Sequence, residues 1–146
     1  MIVSQLMHPN VISVSPDESA ALAARLLNRH NIGSLPVCSL DGRLRGILTD
    51  RDIVLRCVAA DCDPSSTPVR DVMTRGVVSV SPDEDVREAA RLMSAEQIRR
   101  LPVVREGRVV GMVSLGDMSK CPQYDMEASK ALCEISSNAK KYTRRG

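Results

Sequence analysis

Two seven-residue stretches carry the residue types with which this sequence could do chemistry. Gly46-Ile47-Leu48-Thr49-Asp50-Arg51-Asp52 and Gly111-Met112-Val113-Ser114-Leu115-Gly116-Asp117 share one pattern: glycine, two apolar residues, a hydroxyl residue, two spacers and an aspartate. A short carboxylate in the first turn of a helix can accept two hydroxyls, such as a ribose cis-diol, because an ionised carboxylate has acceptor sites to spare. The neighbouring Thr49 or Ser114 hydroxyl can bond the same sugar. The pattern also has a purely structural use. A hydroxyl at the N-cap with a carboxylate at N3 resembles a capping box, which needs no ligand. Cap and ligand site can coexist, and the spacing leaves both readings open.

These stretches belong to a sequence written twice. Ser-Val-Ser-Pro-Asp-Glu occurs at 13–18 and 79–84, Ala-Ala-Arg-Leu at 23–26 and 89–92, and Leu-Pro-Val at 35–37 and 101–103. The copies run from Met7 to Asp52 and from Met73 to Asp117, with one extra residue in the first near Leu40. Each copy reads as strand, helix, strand, strand, helix. Val11 to Val14 is a β-branched run that reads as a strand ending at a Ser-Pro-Asp turn. Ser19 and Asp85 are helix N-caps, with Glu88 as a capping-box partner of Asp85. Ala20, Ala23, Ala24 and Leu27 share one helix face, as do Val86, Ala89, Ala90 and Met93. Leu35–Cys38 and Leu101–Val104 are strands, and Asp41-Gly42 and Glu106-Gly107 are the turns into Arg43–Leu48 and Arg108–Val113. A second helix is expected over Asp50–Ala60.

A unit of about 50 residues is too small to be stable alone. The expected fold is therefore α/β (α+β): two pseudo-symmetric β-α-β-β-α repeats packed sheet to sheet around a shared core. The expected boundaries are 1–60 and 71–120 for the repeats and 61–70 for the linker. The remainder, 121–146, is an amphipathic C-terminal helix with a basic tail. Met126, Ala128, Ala131, Leu132, Ile135 and Ala139 recur at helical spacing there, and Lys140 to Arg145 suit a helix C-terminus. This helix either packs back on its own domain or covers a partner subunit.

Composition narrows the functions. Among 146 residues there is no Trp, no Phe and only two Tyr, so recognition by stacking on aromatic rings is disfavoured. The net charge of +2 gives no strong field for nucleic acid or membrane. No apolar run approaches transmembrane length, and Met1–Asn10 does not read as a signal peptide. The five cysteines, Cys38, Cys57, Cys62, Cys121 and Cys133, are odd in number and form no C-x-x-C pair. Reduced thiols in a cytoplasm are expected, with a Cys57–Cys62 clip or an intersubunit bridge as the alternative. His8 and His30 have no metal-ligand partners at sequence spacing, so no metal site is expected. No catalytic motif is present, and the chain is not expected to be an enzyme.

Taken in order and in two copies, the Ser-Pro-Asp turn, Ile-x-x-Leu-Pro-Val and Gly-Ile-Leu-Thr-Asp-Arg-Asp make the sequence resemble a tandem pair of cystathionine-β-synthase-type (CBS) domains over Met7 to about Met118. The likeness is to small stand-alone bacterial CBS-pair proteins. It implies two clefts between the repeats that take AMP, ADP, ATP or S-adenosylmethionine as a regulatory ligand, with no required cofactor, and a role such as energy sensing. Thr49 and Asp52 would hold one ribose, and Ser114 and Asp117 the other. Ile32, Gly33, Ser34, Leu35 and Pro36, with Ile98, Leu101 and Pro102, would wall the adenine. Backbone groups near Val11 and Ile12 and near Val77 and Val78 would read its edge. Arg51, Arg99 and Arg100 would meet phosphates, since a guanidinium donates two hydrogen bonds to one phosphate; solvated surface charges are the plainer alternative. The resemblance also implies a homodimer through the helices of the pair, acting on an unknown downstream protein. A scaffold with vestigial sites is the alternative function, and a nucleic-acid-binding regulator a third.

Overall fold

A computed structural model describes the backbone of residues 1–143 and the side chains of residues 1–137. Ala139 and the basic run 140–145 lie outside the described side chains. The elements are α1 (Ala20–His30), β1 (Ser34–Cys38), β2 (Leu44–Thr49), α2 (Asp50–Ile53), α3 (Val86–Glu96), β3 (Arg100–Arg105), β4 (Arg108–Ser114), α4 (Leu115–Ser119) and α5 (Asp125–Thr143). The class is α+β, with helices and antiparallel strand pairs.

Ser19 starts α1 by accepting the Leu22 N–H at 3.1 Å. Asp85 starts α3 by accepting the Arg87 N–H at 2.8 Å. The expected capping box at Glu88 does not form. Glu88 lies one turn from Arg91 and takes its guanidinium instead, at 2.6 and 2.9 Å. Both helices stop at a left-handed residue, Asn31 (φ 52°) and Gln97 (φ 57°). The apolar faces are inward as expected: Ala20, Ala23 and Leu27 on α1, and Val86, Ala89, Ala90 and Met93 on α3, are buried.

β1 and β2 pair antiparallel with Ser34 opposite Thr49, and the register shifts between Val37 and Cys38. The extra residue of the first copy lies in the adjoining loop. Gly42 (φ 85°) and Gly107 (φ 81°) turn the two hairpins in a conformation that side chains rarely adopt.

The expected strand Val11–Val14 does not form, and its counterpart before Pro82 does not either. Only Val14 bridges to Val37, in parallel; its N–H donates to Pro36 and its carbonyl accepts from Cys38. The next donors along that ladder would be residues 16 and 36. Both are prolines and have no N–H. The second copy repeats the arrangement, with Val80 bridging to Val103 between Pro82 and Pro102. The sheets are therefore two-stranded, not three-stranded.

The second helix starts at Asp50 as expected, but only α2, Asp50–Ile53, is α-helical; a π-helical turn continues it over Val54–Val58, and the helix stops there, with turns from Ala59 onward. In the second copy α4 is short, and α5 packs on α3 and α4. Ala128 and Ala131 are buried by this packing, but Met126, expected on the apolar face, is 85 % exposed. The five cysteines are free thiols, and burial pushes the Cys38 thiol up, partly offset by a hydrogen bond from Ser13.

Two compact units result, and they cut across the two copies. One comprises Met1–Asn10, Val78–Arg105 and Val110 onward; the other comprises Val11–Val77 and Glu106–Val109. Each unit thus takes in the segment that precedes and opens the other copy. Val3 donates its N–H to Glu84 and Ser4 donates to Pro82; Val69 donates to Glu18 and Arg70 to Pro16. Carbonyls of the duplicated Ser-Pro-Asp-Glu turn thus receive each segment. Val3 is 0 % exposed in one core, and Val69 and Val72 are 0 % exposed in the other. Burying a valine contributes about 1.5–3 kcal/mol, enough to fix so short a segment.

Candidate functional site

In each unit the second hairpin strand runs directly into a short helix capped reciprocally. The Asp52 N–H donates to Thr49 Oγ1 at 3.0 Å, and the Thr49 N–H donates to Asp52 Oδ2 at 3.0 Å. Likewise the Asp117 N–H donates to Ser114 Oγ at 3.1 Å, and the Ser114 N–H to Asp117 Oδ2 at 2.9 Å. The capping-box reading of the sequence therefore holds in both copies. Both carboxylates are nearly buried, Asp52 at 9 % and Asp117 at 7 % exposure.

The remaining oxygen of each carboxylate is met by the segment from the other copy. Thr74 pairs its backbone with Ile47, and its hydroxyl donates to Asp52 Oδ1 at 3.2 Å. His8 pairs its backbone with Met112, and its Nε2 lies 2.8 Å from Asp117 Oδ1. Sequence reasoning missed both residues as site residues. Met7-His8 and Met73-Thr74 open the two copies in register, which marks His8 and Thr74 as equivalent positions without pointing to the carboxylates they meet. Arg56 adds hydrogen bonds to the carbonyls of Val72 and Met73, at 3.2 and 2.9 Å, and stands 3.9 Å from Asp52.

The motif glycines make room for these segments. A Cβ on Gly46 would stand 2.6 Å from the Thr74 carbonyl oxygen, and one on Gly111 would stand 2.5 Å from the Met7 sulfur. Burial pushes the Asp117 carboxyl up, but hydrogen bonds from His8 and from the Ser114 side chain and backbone outweigh it. The net position is below the usual carboxylate range.

The predicted site residues fall around these helices. Ser34 is the register partner of Thr49, and the Gly33 carbonyl accepts the Asp50 N–H at 3.1 Å. The Arg99 carbonyl accepts the Leu115 N–H at 2.9 Å, the same contact in the other unit. Arg100, His8, Ser114 and Asp117 line one cavity of about 210 Å³. Arg99 and Arg100 also line a cavity of about 560 Å³ with Ser114, Gly116 and residues of α5. Arg51 is exposed. Ile12 and Ile32 pack half-buried against one core, and Val78 and Ile98 against the other. Val11 and Val77 are half-buried, and Pro36 and Pro102 are buried. Leu35 and Leu101 are 0 % exposed within the cores, so their side chains reach no open surface. Among the described residues no cluster of three or more His, Cys, Asp or Glu could hold a metal ion. No helix there is long and apolar enough to cross a membrane.

A hairpin feeding a capped helix, with a nearly buried aspartate in its first turn, present twice, defines a tandem α+β domain pair. The chain belongs to the CBS domain family: the family model matches residues 3–58 and 69–123. It is similar to the CBS domain-containing protein YhcV of Bacillus subtilis, at 42 % identity over 92 % of this chain and 94 % of that protein. It is also similar to hypoxic response protein 1 of Mycobacterium tuberculosis, at 35 % identity over 88 % of this chain and 91 % of that one. A crystal structure of hypoxic response protein 1, with two coordinated zinc ions, superposes with a TM-score of 0.78 at 34 % identity. That superposition covers 83 % of this chain and 98 % of that one. The CBS domain pair of protein MJ0100, in complex with 5′-methylthioadenosine and S-adenosyl-L-methionine, gives a TM-score of 0.73 at 33 % identity. It covers 82 % of this chain and 94 % of that one.

Proposed function

We propose that this CBS pair is a non-catalytic regulatory module whose two capped helices each hold the ribose of an adenosine-containing ligand. The observation that carries this reading is the pair of nearly buried carboxylates, Asp52 and Asp117, each beside a hydroxyl on Thr49 or Ser114. The adenosine ligands of the MJ0100 pair support the same class of ligand: AMP, ADP, ATP or S-adenosylmethionine. The adenine contacts then fall to the half-buried Ile12, Ile32, Val78 and Ile98 and to backbone near Val11 and Val77. Phosphates fall to Arg51, Arg99 and Arg100. The signal is linkage: a ligand that binds one arrangement better than another shifts the population toward it.

Self-association is part of the proposal. Val54, Leu55 and Val58 on the π turn are 54 %, 50 % and 57 % exposed, an apolar patch that a second copy of the chain would cover. A structural neighbour, a CBS-CP12 protein from bloom-forming cyanobacteria, is hexameric.

Isothermal titration with AMP, ATP and S-adenosylmethionine tests the ligand reading, on the parent and on Asp52→Asn and Asp117→Asn. Binding by the parent and its loss in the variants, with only modest loss of stability, is expected. Stability loss without any ligand effect would show the motifs to be caps only, and the protein a scaffold.

A further inference from the structure

The π turn over Val54–Val58 ends in a way that brings two cysteines together. Asp61 is left-handed, with φ 59°. Its N–H donates to the Val58 carbonyl at 3.1 Å, and the Cys62 N–H donates to the Cys57 carbonyl at 2.9 Å. A shorter bond nested inside a longer one, behind a left-handed residue, is the Schellman termination of a helix. The residues at the two ends of its outer bond commonly bring their side chains into contact. Here those two residues are Cys57 and Cys62.

The Cys57 side chain is already turned toward its partner, since its thiol donates to the Cys62 carbonyl at 3.6 Å. Cys57 is 0 % exposed within the core of its unit, whereas Cys62 is exposed. A reagent in solution therefore meets Cys62 first, and Cys57 is reached only through it. A disulfide needs α-carbons roughly 4.4–6.8 Å apart and side chains directed toward each other. The backbone bond from Cys62 to Cys57 holds the two residues side by side, and the termination directs their side chains to one another.

We propose that Cys57 and Cys62 are a modification site, a thiol pair that a low-molecular-weight disulfide converts into an intramolecular disulfide without displacing the turn. The Cys62 thiolate attacks one sulfur of the small disulfide, forming a mixed disulfide and releasing one small thiol. The Cys57 thiolate then attacks the Cys62 sulfur, and the other half of the reagent leaves as a second small thiol. The two cysteines give up two electrons, the reagent takes both, and the protons of the two protein thiols end on the released thiols. The new bond staples the far end of the helical run that begins at the Asp52 cap and carries the exposed Val54, Leu55 and Val58. The adenosine reading is not needed for this chemistry.

The test is incubation of the full chain with glutathione disulfide, followed by alkylation of the remaining thiols and peptide mapping by mass spectrometry. It is run on the parent, Cys57→Ala and Cys62→Ser. Cys57→Ala keeps a small apolar side chain in the core; should it fold poorly, the surface variant Cys62→Ser carries the comparison. The parent is expected to form a Cys57–Cys62 linkage that dithiothreitol undoes. Cys57→Ala should stop at a glutathione adduct on Cys62, and Cys62→Ser should leave Cys57 unreacted. Exposed Cys133 serves in every sample as the control for reaction with the reagent. The oxidised parent should melt about 4 °C above the reduced parent, a shift absent from both variants, because a ring that fits the native turn restrains only the unfolded chain. A lasting glutathione adduct on Cys62 of the parent, or linkage of Cys62 to a second copy of the chain, would overturn the pairing. A lower melting temperature on oxidation would show that the bond forces the turn out of shape, and would sink the claim that the native turn accommodates it.

Discussion

The hydroxyl of Thr74 reaches both oxygens of the Asp52 carboxylate, at 3.2 and 3.3 Å, from a position 22 residues along the chain. It secures the segment that follows the linker to the helix start that it overlies. Thr74→Val removes the donor and leaves a nearly buried carboxylate short of one partner. The expected cost is about 1–2 kcal/mol, read as a lower urea midpoint at unchanged slope. An unchanged midpoint would show that the contact is incidental.

Gly46→Ala and Gly111→Ala should separate in severity. At Gly46 the new methyl meets the Thr74 backbone carbonyl, which can yield only if the bridge to Ile47 breaks. At Gly111 it meets mainly the Met7 side chain, which has other rotamers, although the His8 carbonyl lies 3.1 Å away. Overpacking costs about 1–3 kcal/mol, and Gly46→Ala should lie at the upper end. Thermal melts of the two variants decide it, and the reverse order would contradict the contact geometry.

The fold was legible in the sequence wherever local chemistry decides. Ser19 and Asp85 cap their helices, the Asp41-Gly42 turn folds back, and Asp52 and Asp117 sit at N3 of reciprocally capped helices. It was illegible where a partner lies far along the chain. Nothing near His8 points to Asp117, 109 residues away. The strand at Val11–Val14 failed for a related reason. Its β-branched residues favour extension, but a strand needs partner donors, and Pro36 has none to give. Met126 fits the helical period of α5 and still faces solvent, because periodicity shows a face without showing where the covering surface ends.

Asp117 sets a pH dependence whose sign follows from its environment. Burial pushes its carboxyl up, and hydrogen bonds from His8 and Ser114 outweigh that to leave it below the usual range. The unfolded carboxyl titrates near about pH 3.9. Stability from this group is therefore fully present above that value and lost as pH falls through the lower, folded one. Melting temperatures followed from about pH 6 downward should fall in acid, and Asp117→Asn should flatten part of that fall. Parallel curves for parent and variant would remove Asp117 from the account.

Leu55→Glu places a charge in the middle of the exposed patch formed with Val54 and Val58. If two copies of the chain meet there, sedimentation velocity should show a dimer for the parent and a monomer for the variant. The melting temperature measured on dilute protein should change little, since half-exposed surface positions usually matter by about 0.5 kcal/mol or less. An identical sedimentation pattern would move the self-association surface elsewhere.

The crossed segments also order events during synthesis. Val11–Val77 contains nearly all of one unit, so that unit can gather its core while the rest of the chain is still being made. Met1–Asn10 leaves the ribosome before the rest of its unit and must wait for it, because β4 and α4, which receive it, are translated about a hundred residues later. Until then Val3, which ends wholly buried, has no core to enter. Contacts of such long sequence separation are slow to close. The unit that carries His8 and Asp117 is accordingly the later of the two to mature, and its site becomes complete only when His8 finds a helix start made 109 residues after it.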